Sequence, residues 1–558
     1  MDGETYGSSP NAVQSNDGKH MFQPDELKSS EPLLWSPGRG TEVWELFSAC
    51  IAGQLDRVKA LVAQDPSLVR SQFAYRKPLY FAVRENRLDV AAFLLERDPD
   101  PMNLWVNDNP LDIARDRGYV EIQRLLETTL VTVHNASPRG EPLAAAIREH
   151  DLPRVRTLLD ADSALLHAGD KGSSQPIHWA VMTRQLDVID ELLARGADID
   201  ARRMDGARPI HVTNGDYFYR GWRDVPKDWP TSPAAVMTHL KARGAYIDIN
   251  TAAHTGDIAR VRDLLEQDPS LANRVGDHGG YYLGAGTPLQ NAAATGRMDI
   301  VRLLLEHGAD PNLPEEHIAP RGRALYAAAS GGHYEIARLL LERGANPNQP
   351  VESSADALSM AMMHKDQKMV DLLRSYGASR NMELQAYYDD LDAAVAAFAA
   401  NPGLADDPNA LCTAAGNGNE AFVRLILQYQ PYLARRVSCA GKTRTLTELL
   451  FAHGMNPSQP NWLLITPLHQ FAREGNVERA ALFIDHGADL QARDEDICST
   501  PLGWAAKFGK RTMVELLLSR GAKPNLPDDP PWATPLAWAT RREHGEIVEL
   551  LKQRGALS

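Results

Sequence analysis

Apolar residues recur along the chain in a unit of about 33 residues, and each unit predicts two short helices. The pattern is clearest from Thr287 to Asn312, where the sequence reads TPLQNAAATGRMDIVRLLLEHGADPN. Pro288 suits the first position of a helix, and Gly296 suits its end. In the second half, Ile300 and Leu304 lie on one apolar stripe at helical spacing. Each helix pair therefore leaves apolar faces that only neighbouring pairs can bury.

The same unit returns from about Trp44 to Ser558. Clear further copies begin at Lys77, Gln175, Arg323, Thr466, Thr500 and Thr534. The copy at Thr466 opens with TPLH, and this opening together with the period resembles the ankyrin-repeat family. The resemblance implies an all-α fold: a curved solenoid of stacked helix pairs, with β-turn or hairpin fingers and a concave groove.

Breaks in the pattern predict how the chain is organised. A first stretch rich in Gly, Ser, Pro and Asp predicts disorder. The predicted divisions are a disordered leader at 1–40, an N-terminal and central array at 41–434 with an insertion at 215–231 and a long finger at 275–286, an irregular joint at 435–465, and C-terminal repeats at 466–558.

Composition narrows the partners that the array could bind. The net charge of -14 argues against nucleic acid, because phosphate binding needs clustered Lys and Arg. The chain has no apolar run of about 20 residues and no signal peptide pattern, so we expect neither membrane insertion nor secretion. Its four cysteines form no CxxC pair, which favours buried thiols in a reducing compartment. The expected location is the cytoplasm; the oligomeric state is not predicted.

Two short stretches resemble cofactor-binding motifs, but the surrounding sequence argues against both. Gly416-Asn417-Gly418 imitates a dinucleotide fingerprint but follows a predicted helix instead of a strand. Gly441-Lys442-Thr443 imitates a P-loop ending without its first glycine. No cofactor is predicted. The resemblance also implies that the histidines of the unit openings, His178, His211 and His469, are structural.

The central units carry the candidate functional residues. The resemblance implies that the fingers and the ends of the first helices line the concave groove. Ionisable and aromatic side chains concentrate at these positions, which is the composition of a ligand site. The predicted ligand-binding residues are Asp216, Tyr217, Tyr219, His254, Asp277, His278, Tyr281, Tyr282, His317, Arg321 and His364. Because they lie outside the predicted stacking faces, we expect His278→Ala or Tyr281→Ala to leave the melting temperature almost unchanged.

Two functions remain open at this point. The first is a scaffold that recognises a protein partner through its concave face. The alternative is an unusual enzyme, or a binder of a small carbohydrate-like or anionic ligand, centred on the central groove. Its candidate general acids or bases are Asp277, His278, Tyr281 and Glu315. No metal is predicted, because the spacing of the candidate His and Asp ligands matches no known metal site.

The aromatic insertion at 215–231 has two interpretations. Its five aromatic side chains could form a lid or a stacking wall over a ligand. Alternatively, the loop packs against its own repeat.

Overall fold

The computed structural model describes residues 21–34, 36–98, 109–216, 218–278, 282–313, 323–349 and 356–557. Within these ranges the chain is all-α, and β-structure is limited to isolated bridges. The helices form successive pairs in which a first helix packs on the first helix of the next pair. This confirms the predicted solenoid of stacked helix pairs.

The helices fall into three sections along the chain. The N-terminal section contains α1 Asp25–Lys28, α2 Gly40–Ala52, α3 Leu55–Gln64, α4 Pro78–Arg84, α5 Leu88–Leu95, α6 Pro110–Arg117 and α7 Val120–His134. The first half of the central section contains α8 Glu141–Arg148, α9 Leu152–Ala161, α10 Pro176–Met182, α11 Leu186–Ala194, α12 Gly221–Asp224 and α13 Pro233–Ala242. Its second half contains α14 Ile249–Thr255, α15 Ile258–Gln267, α16 Pro288–Ala294, α17 Met298–Glu306, α18 Ala324–Ser330, α19 Tyr334–Glu342, α20 Ala357–Met363 and α21 Gln367–Ser375.

The C-terminal section completes the array. It contains α22 Met382–Tyr387, α23 Leu391–Ala400, α24 Pro408–Asn417, α25 Glu420–Tyr429, α26 Arg444–Ala452, α27 Pro467–Glu474, α28 Val477–Asp485, α29 Pro501–Lys507, α30 Arg511–Ser519, α31 Pro535–Arg541 and α32 Gly545–Gln553. Short 3-10 helices lie at Pro66–Arg70, Pro138–Gly140, Ser163–His167, Pro209–Val212, Pro269–Asn273, Pro402–Ala405 and Leu433–Arg436.

Local chemistry explains where the helices start and how they pack. In the unit that the sequence shows best, the Thr287 hydroxyl accepts a hydrogen bond from the Gln290 N–H and caps α16, whose first residue is Pro288. In α17, Ile300 and Leu304 are fully buried, as the apolar stripe predicts.

Two units depart from the helix-pair pattern. The unit that opens at Pro209 has only a 3-10 helix as its first helix, followed by the insertion at 215–231 with the short helix α12. At the predicted irregular joint, α26 has no first helix of its own. There the segment before α26 lies against the end of α24, where the Lys442 N–H donates to the Ala415 carbonyl at 2.8 Å.

The two ends of the array meet. The N-terminal and C-terminal sections share one hydrophobic cluster, although the whole central section lies between them in sequence. Central residues form two further clusters of their own. Phe73 and Phe81 both contact Trp462, with ring centroids 5.4 and 6.1 Å apart. The solenoid therefore closes on itself.

The predicted leader is shorter than residues 1–40. Residues 1–20 lie outside the described part of the chain, but the segment from Met21 is placed. Leu27 on α1 is fully buried, and the Phe22 N–H donates to the Trp462 carbonyl at 3.1 Å. Disorder up to residue 40 is therefore wrong. A few apolar residues within a polar stretch are enough to dock it once the C-terminal section supplies a surface.

The cysteines also differ from the expectation of four buried thiols. Cys412 and Cys439 form a disulfide, with Cα atoms 5.6 Å apart. Cys50 is a buried free thiol, and the half-buried thiol of Cys498 donates to the Glu495 carbonyl. No local pattern in the sequence indicates this pair, because the two residues meet only where the irregular joint folds against α24.

Candidate functional site

The predicted groove strip is built from fingers that lie against one another. The described residues of the long finger, 275–278 and 282–286, rest on the finger at 202–208. Gly206 adopts a φ of +81°, and a Cβ there would overlap the carbonyl oxygen of Asp277. The Leu283 N–H donates to the His211 carbonyl at 3.3 Å. These contacts join two fingers that α13, α14 and α15 separate in sequence.

Two histidines stack where these fingers meet. The imidazole rings of His211 and His278 have centroids 3.9 Å apart and planes 16° apart. Nδ1 of His211 accepts from the Arg208 N–H at 3.2 Å, and Nε2 of His278 lies 3.0 Å from the Leu283 carbonyl. His278 is only 3% exposed, so the expectation that it lies clear of the packing is corrected.

A buried arginine holds three segments together beside the stack. Arg203 is 4% exposed, and its guanidinium lies 2.7 Å from Asp216 and 3.1 Å from Asp205. The Tyr282 hydroxyl donates to the same Asp205 carboxylate at 2.9 Å. Asp216 also accepts from the backbone N–H of Tyr219 at 2.7 Å. The cluster thus ties the finger of one unit to the insertion and to the long finger.

The surroundings shift the pKa values of several groups in and beside the cluster. Burial, with the Asp205 charge, raises the pKa of the Tyr282 hydroxyl. Burial lowers the pKa of His211. Burial would raise the pKa of Asp248, but hydrogen bonding to His211 and Thr251 outweighs it and brings the value to about 2. The imidazole of His278, then Arg202, lowers the pKa of Asp277. Such groups are suited to hold a structure at neutral pH.

The insertion folds back over the two preceding units. Tyr219 packs edge-on against Trp179, with centroids 5.6 Å apart. Trp229 contacts the His150 ring at 4.4 Å, and its indole N–H donates to the Arg184 carbonyl at 3.2 Å. The loop therefore lies over the ends of α8 and α10, and it does not pack only on its own repeat.

Two aromatic rings of the insertion face solvent. Phe218 is 58% exposed, and Trp222 is 68% exposed. Met363, at the end of the first helix α20 further along the central groove, is 55% exposed. Phe218 and Trp222 lie in the same insertion, and neighbouring large apolar side chains left in water are typical of interaction sites.

The structure brings together only part of the predicted set. Asp216, Tyr219, Asp277, His278 and Tyr282 meet at the fingers and insertion described above. His254 lies on α14, half-buried, while His364 is exposed at the end of α20, three units further along. Tyr217, Tyr281, Glu315, His317 and Arg321 lie outside the described residues.

Asp248 was absent from the sequence prediction, yet it lies 3.4 Å from Nε2 of His211. Asp248 precedes α14 and caps it by accepting from the Thr251 N–H. Asp248 caps α14, whereas His211 opens the preceding unit, so the two side chains come together only when the two units stack. Among the described residues, no group of three His, Cys, Asp or Glu side chains is arranged to hold a metal ion.

The opening histidines behave as the resemblance implied. Nδ1 of His469 accepts from the Thr466 N–H at 3.1 Å, and Nε2 lies 3.2 Å from the Ser499 carbonyl of the next unit. His178 makes the same two contacts, with the Gln175 N–H and the Ala201 carbonyl. Both rings are fully buried. They join each helix start to the following finger.

The comparisons with known proteins agree with this geometry. A family model described as "Ankyrin repeats (3 copies)" matches residues 249–351 and 433–528, and one described as "Ankyrin repeat" matches residues 175–203. The protein is an ankyrin-repeat protein. Repeats of this family serve as protein-interaction scaffolds.

Several curated proteins are similar to this ankyrin-repeat chain. The NF-kappa-B inhibitor alpha of Gallus gallus is 24% identical over 37% of this chain and 68% of its own length. The putative ankyrin repeat protein FPV240 of fowlpox virus is 31% identical over 23% of this chain and 32% of its own length. The ankyrin repeat protein nuc-2 of Neurospora crassa is 25% identical over 48% of this chain and 24% of its own length. The match thus covers about a third of the fowlpox protein and a quarter of the fungal one. No helix in the described ranges is long and apolar enough to cross a membrane.

Proposed function

We propose that this ankyrin-repeat protein recognises a protein partner through the concave face of its central section. The observation that carries the proposal is the closure of the solenoid. Fingers and first helices of the N-terminal section contact those of the C-terminal section, so part of the concave surface at each end is covered. We infer that a large partner binds the central groove instead.

The chemistry of the central groove supports a protein partner. Trp222 and Met363 present large apolar surfaces, and aromatic residues and Met are enriched at protein interfaces. Two of the residues expected to bind a small ligand, His278 and Tyr282, are buried side by side. A relative of this chain bears the name of an inhibitor of another protein, which fits a recognition role.

Site-specific photo-crosslinking would test the proposal. A photoreactive amino acid at position 222 or 363 of the full chain, in cells that produce this protein, should yield a discrete crosslinked protein. The matched control is position 131 on the second helix α7, where Val131 is 52% exposed. Trp222→Ala should then weaken the identified complex on the order of tenfold or more, with an unchanged melting temperature. Crosslinking from position 131 alone would rule out the concave face.

A further inference from the structure

The contact between the two ends of the array has a distinct chemistry. On the N-terminal side it presents Arg76 in a finger, Arg84 at the end of α4 and Arg117 at the end of α6. On the C-terminal side the finger before α29 inserts Asp496 among them. All of these residues belong to fingers or first helices, the elements that line the concave groove of this fold.

Asp496 is held by three guanidinium groups. Nη2 of Arg76 lies 2.5 Å from Oδ2 of Asp496, and Nη1 of Arg84 lies 3.8 Å from Oδ1. Arg117 donates to the backbone carbonyl of Asp496. Burial would raise the pKa of Asp496, but Arg76 and Arg84 outweigh burial and hold it below its ordinary value. The carboxylate is therefore ionised within a basic recess.

An aromatic wall completes the recess. Trp462 packs on Phe73 and Phe81, and Arg76 lies over the Trp462 ring at 5.9 Å. Arg117 lies over Trp532 at 4.4 Å. Carboxylates of the N-terminal section also face this contact.

Those carboxylates are already paired. Glu85 accepts from Arg84 at 2.9 Å, and Asp116 lies 2.6 Å from Arg542 across the contact. The N-terminal recess thus keeps an excess of positive charge, which Asp496 balances. A basic, aromatic recess that already holds a protein carboxylate has the composition of a site for an acidic protein segment.

The finger that carries Asp496 does not need this carboxylate for its own shape. Asp494 closes the finger turn by accepting from the N–H groups of Ile497 and Ser499 and from the Trp504 indole at 2.8 Å. The side-chain contacts of Asp496 instead cross to Arg76 and Arg84, about 400 residues away in sequence. Its chemistry serves the contact between the ends.

We propose that the concave face of the N-terminal section is a binding surface for an acidic protein segment, and that the chain's own finger at 494–498 occupies it. The surface is separate from the central groove of the proposed function. Buried ion pairs add specificity more than net stability, because desolvation offsets their attraction. An external acidic segment can therefore compete with the internal finger once the contact opens.

The experiment uses the full-length chain and a fluorescent synthetic peptide with the sequence of residues 490–497, LQARDEDI. Asp496→Lys puts a fourth cation into the recess and should open the contact. The matched control is Asp528→Lys in the next finger, where the side chain is exposed and the charge change is the same. Opening is read as a larger radius of gyration in small-angle X-ray scattering.

The peptide should bind the Asp496→Lys protein at least tenfold more tightly than the wild type or the Asp528→Lys control. Adding Arg76→Glu to the opened protein should remove the binding, and a peptide with asparagine in place of the second aspartate should bind at least tenfold more weakly. Equal peptide binding by the wild type and the opened protein would show that the internal finger does not compete with the peptide. The proposed binding surface would be wrong if the opened protein did not bind the peptide, or if binding survived Arg76→Glu. An unchanged radius of gyration for Asp496→Lys would also contradict it.

Discussion

His211 and His278 stack with ring centroids 3.9 Å apart, although one opens a unit and the other lies in the long finger of a later unit. The stack makes His278, a predicted ligand-binding residue, part of the framework beside His211, which the resemblance implied to be structural. Burial of the pair, together with the Arg203 cluster beside it, links the finger at 202–208 to the described residues of the long finger.

His278→Ala should therefore destabilise the protein instead of leaving its melting temperature unchanged. Loss of a buried ring and its hydrogen bond to Leu283 should cost about 1–3 kcal/mol of the free energy of unfolding. Chemical denaturation with hydrogen exchange of the fingers measures it. His364→Ala, at an exposed position, is the control and should change stability by less than about 0.5 kcal/mol. Equal effects of the two substitutions on stability would show that His278 is not part of the buried framework.

Acid should weaken the array through its opening histidines. Burial lowers the pKa of His469 to about 4 and that of His178 to about 3. The unfolded chain binds these protons near pH 6.5, so the stability from the neutral rings is present above that pH and is lost as the pH falls toward 4 and then 3. For His469 the loss should be on the order of 3 kcal/mol.

Denaturation curves between pH 4 and 7.5 measure this slope. His469→Asn should lower stability at pH 7 and should also flatten the slope. A slope identical to that of the wild type would show that His469 does not carry the acid sensitivity.

The disulfide gives a prediction about covalent state. Mass spectrometry after alkylation under denaturing, non-reducing conditions should find two modified cysteines, Cys50 and Cys498. Cys412→Ser should cost about 2–4 kcal/mol, because the bond closes a loop between residues separated by 27 positions. Cys50→Ser is the control for loss of a thiol. Four alkylated cysteines would instead support the reducing compartment that the sparse cysteines predicted.

Leu304→Ala should loosen the array locally. Leu304 is fully buried on α17, and such a truncation typically costs about 2–5 kcal/mol. Because stability in a solenoid is summed over neighbours, hydrogen exchange should rise first in α14 to α19. Leu303→Ala, on the half-buried side of the same helix, should cost less. A uniform rise in exchange along all sections would contradict local coupling.

The candidate site was only partly within reach of the sequence. The overlong finger and the aromatic insertion marked the central units as unusual. The sequence did not show that Tyr282 would donate to Asp205 at 2.9 Å, or that Trp229 would cover His150. Those contacts join different units, and the 33-residue pattern describes only contacts within a unit and to its neighbour.

The sequence by itself determined the repeated unit, because helix starts, glycine turns and apolar stripes are local features that each copy carries. Only the tertiary structure decided that Arg76 meets Asp496 and that the segment from Met21 docks on Trp462. Small rotations between successive units accumulate along a solenoid, and no single unit encodes their sum. Closure of the array is therefore a property of the whole stack, decided by how many units intervene and how each one turns.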